Sequence, residues 1–210
     1  MSLEKPENEV PQTWVVDTTR AMRKKGGRDL EDYKEFLGFS EQELENKSIL
    51  DLGSGSREKL TTDLKKAGIV ANVISINPDY TLQKYRTIIN NQKDWQHKSV
   101  AGLAQNLPFA DGSFDFILGV ESITMYADPL HEPKIAKAWA KEIIRVLKPG
   151  GQARLGEILG FGGQANKEAW QEIIKLFEDS NLEAKIEPFK LRASGDMLRY
   201  RLIVNKPINK

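Results

Sequence analysis

Ser48-Ile49-Leu50-Asp51-Leu52-Gly53-Ser54-Gly55-Ser56 is a short apolar run that ends in two glycines. Arg57 to Ala67 follow with a helical pattern that stops at Gly68. Glycines let a backbone turn tightly and approach a ligand closely. The start of the next helix offers unpaired N–H groups and partial positive charge. In open α/β sheets ligands lie beyond the carboxyl ends of the strands, where this turn falls. The alternative is a strand-to-helix turn that needs glycine for its own geometry. A dinucleotide turn requires Gly-x-Gly-x-x-Gly, and Glu58 holds the last place here, an acidic helix start that repels pyrophosphate. No Gly-Lys-Ser/Thr follows a glycine at P-loop spacing, which excludes that motif.

Downstream of this stretch, strand and helix patterns alternate. Val70 to Ile76 is rich in β-branched residues and is punctuated by Asn77-Pro78-Asp79. Thr81 to Asn90 reads as a helix, Trp95 to Ala101 as a weak strand, and Phe114 to Val120 as a strand. Pro133 to Lys148 is a long amphipathic helix ended by Pro149-Gly150-Gly151. Gln152 to Leu159 is a strand and Lys167 to Asp179 a helix. Glu183 to Leu191 and Met197 to Asn205 are strands joined through Gly195, too close for a crossover helix and therefore an antiparallel hairpin. The whole pattern predicts an α/β fold with a mostly parallel sheet. Upstream, residues 1–47 form a leader. Thr13 to Lys25 reads as a short helix, Asp29 to Leu37 repeats Leu30, Tyr33, Phe36 and Leu37 at helical spacing, and Ser40 with Glu43 makes a capping box. Residues 48–210 form the α/β body of what is one domain overall.

Composition narrows the function. The chain has 210 residues, 31 Lys and Arg against 30 Asp and Glu, and a net charge of +1, so it lacks the basic footprint of a general nucleic-acid binder. It has no cysteine, which excludes disulfides, thiolate metal sites and cysteine nucleophiles. Its two histidines, His97 and His131, are far apart, so no metal site is expected. No apolar run approaches the roughly 20 residues of a membrane span, and the polar, acidic start is unlike a signal peptide, so a cytoplasmic location is expected.

Three segments then act together: Asp51-Leu52-Gly53-Ser54-Gly55, Asn106-Leu107-Pro108-Phe109-Ala110-Asp111-Gly112-Ser113-Phe114-Asp115, and Arg145-Val146-Leu147-Lys148-Pro149-Gly150-Gly151. In this order and spacing the chain resembles the class I S-adenosylmethionine-dependent methyltransferases, in particular the small bacterial methyltransferase-domain type, from about Ser48 to Glu157. The resemblance implies a Rossmann-like, doubly wound, seven-stranded sheet with its last strand antiparallel, S-adenosyl-L-methionine as cofactor, and a leader that caps the site. It implies that Gly53, Ser54 and Gly55 face the methionine part of the cofactor with Asp51 nearby. The fourth strand's end, Gly119-Val120-Glu121, would border the sulfonium and the acceptor. Asn77 stands where family members carry the acidic residue that binds the ribose hydroxyls. Leu103, before Ala104, stands where they often carry an Asp for the adenine amine. Arg57 stands where they commonly carry a third glycine. Leu103 can pack on the ring but accepts no hydrogen bond, while Asn77 keeps one acceptor oxygen. Two weakened polar contacts cost about 1–3 kcal/mol, so Asn77→Asp and Leu103→Asp are expected to tighten binding.

The remaining residues have plainer readings. Asp115 is expected to make structural hydrogen bonds, Trp139 and Trp170 to lie in the core, and His97 to be exposed. Trp14 lies in the leader and is a candidate to cover a ligand. Glu121 and His131 are candidate general bases, needed only if the acceptor must lose a proton. Arg20, Arg23, Lys24, Lys25 and Arg28 form a solvated basic face or a contact for an acidic partner. Gly160 to Gly163 is a flexible loop at the carboxyl edge of the sheet. Two functions follow: methyl transfer to a small-molecule acceptor, or a degenerate methyltransferase fold that binds a ligand without catalysis.

Overall fold

The computed structural model describes residues 28–208 apart from residues 56, 91–97, 159 and 192–197. Trp14, Arg20, Arg23, Lys24, Lys25, His97 and Gly195, with the helix expected over Thr13 to Lys25, lie outside the described residues. The elements are α1 (Leu30–Leu37), a 3₁₀ turn (Glu41–Leu44), β1 (Ser48–Leu52), α2 (Lys59–Lys66), β2 (Asn72–Ile76), a second 3₁₀ turn (Pro78–Thr81) and α3 (Gln83–Asn90). They continue with β3 (Ser99–Val100), β4 (Phe114–Val120), α4 (Ile123–Tyr126), α5 (Pro133–Val146), β5 (Leu147–Gly156), α6 (Gln164–Glu178), β6 (Glu183–Lys190) and β7 (Leu198–Asn205).

The seven strands run in the order β3-β2-β1-β4-β5-β7-β6. Every neighbouring pair is parallel except those that β7 makes with β5 and β6, which are antiparallel. The strand order reverses between β1 and β4, which opens a crevice at their carboxyl ends. Alternation along the strands fills two cores. Leu50, Leu52, Ile117 and Leu155 pack with Trp139, Ile143, Trp170 and Phe177 of α5 and α6. Ile49, Leu118 and Val120 pack on the other face with Leu60 and Leu64 of α2. Trp139 and Trp170 are fully buried, as expected, with ring centroids 6.2 Å apart. Among the described residues no helix is long and apolar enough to cross a membrane.

Of the leader expected to cap the strand ends, residues 28–47 are described, and they pack mainly on one face of the sheet. α1 lies along the α2 face of the sheet and buries Leu30, Tyr33, Phe36 and Leu37 in that core. The stripe at positions i, i+3, i+6 and i+7 demands a broad apolar partner, which the sheet face supplies. Asp29 and Asp32 close a capping box at its start. At its other end, carbonyls that lack helical partners accept hydrogen bonds from the sheet: those of Leu37 and Gly38 from Arg154 on β5, and that of Phe36 from Arg201 on β7 at 3.4 Å. Phe36 and Leu37, at the other end of α1, lie against Gly156, the last residue of β5.

One correction concerns Pro149-Gly150-Gly151. The helix ends earlier, at Val146, and these residues lie within β5, whose register with β4 jumps from Phe114↔Leu147 to Phe116↔Gln152. Extended backbone at Leu147 stops the helix before proline can. The two sequence motifs on either side of β4 meet as a clamp. Arg145 donates to the carbonyls of Phe109 at 2.6 Å and Leu107 at 2.9 Å, and Glu142 accepts from the Leu107 N–H at 2.7 Å. Asp115 accepts from the Ser48 N–H and from Lys148, each at 2.8 Å, the structural role expected of it. Arg145→Ala is expected to lower stability by about 2 kcal/mol, because it strips partners from two carbonyls and from the carboxylates of Glu142 and Asp111. Urea unfolding of the variant measures this.

Candidate active site

The tip of β1 starts from strand alternation. Ile49 points to the α1 face, so Asp51, two residues on, points there too and is fully buried. Tyr33 of α1 meets it, donating its hydroxyl to Asp51 Oδ1 at 2.5 Å. Burial pushes the Asp51 carboxyl up to about 7, against the pull of the Tyr33 hydrogen bond and with help from the charge of Glu58. Burial, and then the charge of Asp51, hold the Tyr33 hydroxyl well above its ordinary range. Gly53 follows with φ of +80° and Gly55 with φ of +69°. Ser54 and Tyr80 hydroxyls lie 2.5 Å apart, and Tyr80 donates to the Gly55 carbonyl at 2.8 Å. Glu58 begins α2 in a left-handed conformation, is buried, and accepts from Ser99. A buried acidic residue thus stands at the helix start, where it disfavours a phosphate. Arg57, in place of a third glycine, is exposed.

The tips of β2 and β3 lie beside it. The Asn77 side chain is already engaged: its Oδ1 accepts from the Asp79 N–H at 2.9 Å and caps the Pro78–Thr81 turn. Asp79 is half-buried, and burial raises its pKa against the pull of Lys84. An ideal Cβ on Gly102 would come within 2.9 Å of Ile76 Cδ1, so the chain after β3 presses on the end of β2. Leu103 and Ala104 are half-buried there, and the Leu103 carbonyl accepts from Asn106 at 3.1 Å.

The tips of β4 and β5 form the other wall. Ser122 caps the crevice so closely that a Cβ on Gly53 would lie 2.6 Å from its Cβ, and one on Gly119 would lie 2.6 Å from its Oγ. Glu121, at φ of +47°, pairs with Arg28, whose guanidinium also stacks 5.0 Å from the Phe36 ring centroid. Glu157, at the adjacent tip of β5, is buried and pairs with Arg199. Burial raises the Glu157 pKa, with Arg199 opposing and Glu121 reinforcing. Tyr126 ends the short helix α4 that follows β4. Burial, then the charges of Glu121 and Asp79, raise its pKa. His131 is 74 % exposed and pairs with Asp128 at 2.9 Å, outside this convergence. Sequence reading missed Tyr33, Asp79, Tyr126, Glu157 and Arg199.

The unspent groups test the fit to an amino-acid-bearing cofactor. Asp51 Oδ2, Ser122 Oγ and Thr124 Oγ1 are buried without a hydrogen-bond partner among the described residues. Native proteins rarely leave such groups unpaired. An unspent carboxylate oxygen beside the glycine turn, with two hydroxyls nearby, suits an ammonium and carboxylate. The residues therefore fit S-adenosyl-L-methionine.

Comparison with known proteins bears on the family and the fold. The profile of the methyltransferase-domain family matches residues 50–155. A biotin biosynthesis bifunctional protein of Cellvibrio japonicus is 33% identical over 141 residues, 66% of this chain and 25% of that protein. A ubiquinone/menaquinone biosynthesis C-methyltransferase of Nitrobacter hamburgensis is 34% identical over 110 residues, 50% of this chain and 40% of that protein. The chain thus spans less than half the length of either relative. Among solved structures, a SAM-dependent methyltransferase of Methanosarcina mazei shares the fold with a TM-score of 0.56 and 21% identity, over 79% of this chain and 94% of that one.

Proposed function

The chain belongs to the methyltransferase-domain family, and on that premise we propose that it transfers the methyl group of S-adenosyl-L-methionine to a small-molecule acceptor. When bound, the cofactor supplies an electrophilic methyl on a sulfonium. The observation that carries this reading is Asp51, fully buried beside the Gly53 turn with one carboxylate oxygen unspent. Asp51 and the glycine turn hold the amino-acid end of the cofactor, while Leu103 and Ala104 pack against its base. The carboxyl ends of β4 and β5 face the acceptor. Holding the acceptor in line with the methyl supplies much of the rate. Where the acceptor must lose a proton, Glu157 and Glu121 are the carboxylates placed to take it. Two relatives, one named for biotin and one for ubiquinone/menaquinone biosynthesis, support a small-molecule acceptor.

Calorimetric titration with S-adenosylmethionine and S-adenosylhomocysteine tests the reading. Both are expected to bind. No heat and no thermal shift at millimolar ligand would remove its main support. One observation favours the non-catalytic alternative: Asn77 spends its oxygen on its own turn. Binding of both ligands without turnover across a panel of phenolic, amine and carboxylate acceptors would establish that alternative.

A further inference from the structure

We propose that Arg199 anchors a carboxylate of the methyl acceptor, so that the acceptor is a carboxylate-bearing small molecule. The inference rests on the methyl-transfer reading above and deepens it by naming the acceptor's class. Strand alternation puts Arg199 and Arg201 on one face of β7, the face on which Arg201 and Arg154 of β5 reach α1. Two of these three arginines spend every guanidinium nitrogen on structure. Arg201 gives Nε and Nη2 to Glu187 at 2.8 and 2.6 Å, and Nη1 to the Phe36 carbonyl at 3.4 Å. Arg154 gives Nε to Gln152, Nη1 to the carbonyls of Leu37 and Gly38, and Nη2 to Glu43. Arg199 gives Nη1 to Glu157, while its Nε is buried with no hydrogen-bond partner among the described residues. A donor withdrawn from water and left unpaired is costly, and native proteins rarely keep one.

The unspent atom defines the ligand. In a guanidinium, Nε–H and one N–H of Nη2 point the same way and form an edge that receives both oxygens of a carboxylate. Glu157 sits on Nη1, off that edge. Glu157 and Glu121 each already face a guanidinium, whereas the unpaired atom is a donor, which calls for an anionic oxygen rather than an ammonium. The position of the edge assigns that oxygen to the acceptor. Arg199 reaches back from β7 to Glu157, which directly follows β5. Glu157 also feels the charges of Glu121, beyond β4, and of Arg28, before α1. Two guanidiniums and two carboxylates thus converge at the ends of β4 and β5, the wall that faces the acceptor. Asp51, at the cofactor's amino-acid end, lies on β1, two strand spacings from β5 and roughly 10 Å away.

The test is calorimetric titration of the full chain, saturated with S-adenosylhomocysteine, with acetate and benzoate and with their neutral counterparts acetamide and benzamide. The wild type is expected to bind a carboxylate about tenfold more tightly than its amide. Arg199→Gln is expected to erase that preference and to leave S-adenosylhomocysteine affinity unchanged. Glu157→Gln is expected to act in the opposite direction and tighten carboxylate binding severalfold, because it removes the anion that competes for Arg199. A merely structural Arg199–Glu157 pair would give no such gain. A wild type that does not prefer the carboxylates overturns the proposal, as does a preference that survives Arg199→Gln or carboxylate binding that weakens in Glu157→Gln. Loss of S-adenosylhomocysteine affinity in Arg199→Gln also overturns it, since Arg199 would then hold the cofactor's own carboxylate. A wild-type chain that does not bind S-adenosylhomocysteine overturns the cofactor reading itself and this proposal with it, a result distinct from the others.

Discussion

Asp51→Asn is expected to make the free protein more stable than the wild type at pH 8 and to leave it equally stable near pH 4. The sign follows from the native carboxyl, raised to about 7 from an ordinary 3.8 by burial. Below about pH 4 Asp51 is protonated in both native and unfolded chains, and burial carries no charge penalty. Between about 4 and 7 the native state holds a proton that the unfolded chain has released. Stability then falls as pH rises, by about 1.4 kcal/mol per pH unit. Above about 7 both states are ionised and the whole penalty, on the order of 4 kcal/mol, is in place. Asparagine does not titrate, so the fall disappears. Urea midpoints at pH 4.5, 6 and 8 measure it, and parallel curves for the two proteins would show that Asp51 is ionised throughout.

The same substitution reverses sign for binding. A cofactor ammonium at Asp51 Oδ2 favours the ionised carboxylate. Wild-type affinity for S-adenosylhomocysteine should therefore rise with pH up to about 7, with proton release visible as a dependence of the calorimetric heat on buffer ionisation enthalpy. Asp51→Asn is expected to lose at least tenfold at pH 8, where the carboxylate would otherwise be charged. Greater stability with poorer binding is the signature of a group kept for function. A purely structural Asp51 would leave affinity unchanged.

The alternation of elements and the closing hairpin were legible because their determinants are local, while the seven-stranded sheet came with the family resemblance. The Gly53 and Gly55 turn, β-branched β2 and the short Gly195 connection each name an element without reference to distant residues. The position of α1 was not legible. Its stripe of Leu30, Tyr33, Phe36 and Leu37 announces a buried face, but the partners that fix which surface receives it, Asp51, Arg154 and Arg201 among them, lie well along the chain. Gly53 was legible as a turn that needs glycine, which its φ of +80° matches, while the side chains around it choose partners that no local pattern names. Asn77-Pro78-Asp79 carries a capping signal that competes with ligand binding for the same oxygen. Glu157 was hidden because the apolar run Ile158-Leu159 extends the predicted strand past its true end at Gly156.

Gly53→Ala is expected to lower stability by about 3 kcal/mol and to weaken S-adenosylhomocysteine binding beyond about a hundredfold, for two separable reasons. Backbone strain is one, because φ of +80° lies where side-chain-bearing residues pay on the order of 1–2 kcal/mol. Overlap is the other, because the new methyl would stand 2.6 Å from Ser122 Cβ and must push the chain after β4 outward. That chain carries Glu121 and leads into Thr124 and Tyr126, so the displacement spreads across the acceptor wall. A double mutant divides the two effects. Ser122→Gly in the Gly53→Ala background removes the overlap and leaves the strain, so it is expected to recover about half of the lost stability. Thermal and urea unfolding of the four proteins in the cycle give the coupling directly. If Ser122→Gly recovers nothing, strain at Gly53 accounts for the whole effect and the packing of the β4 tip against the glycine turn contributes none of it.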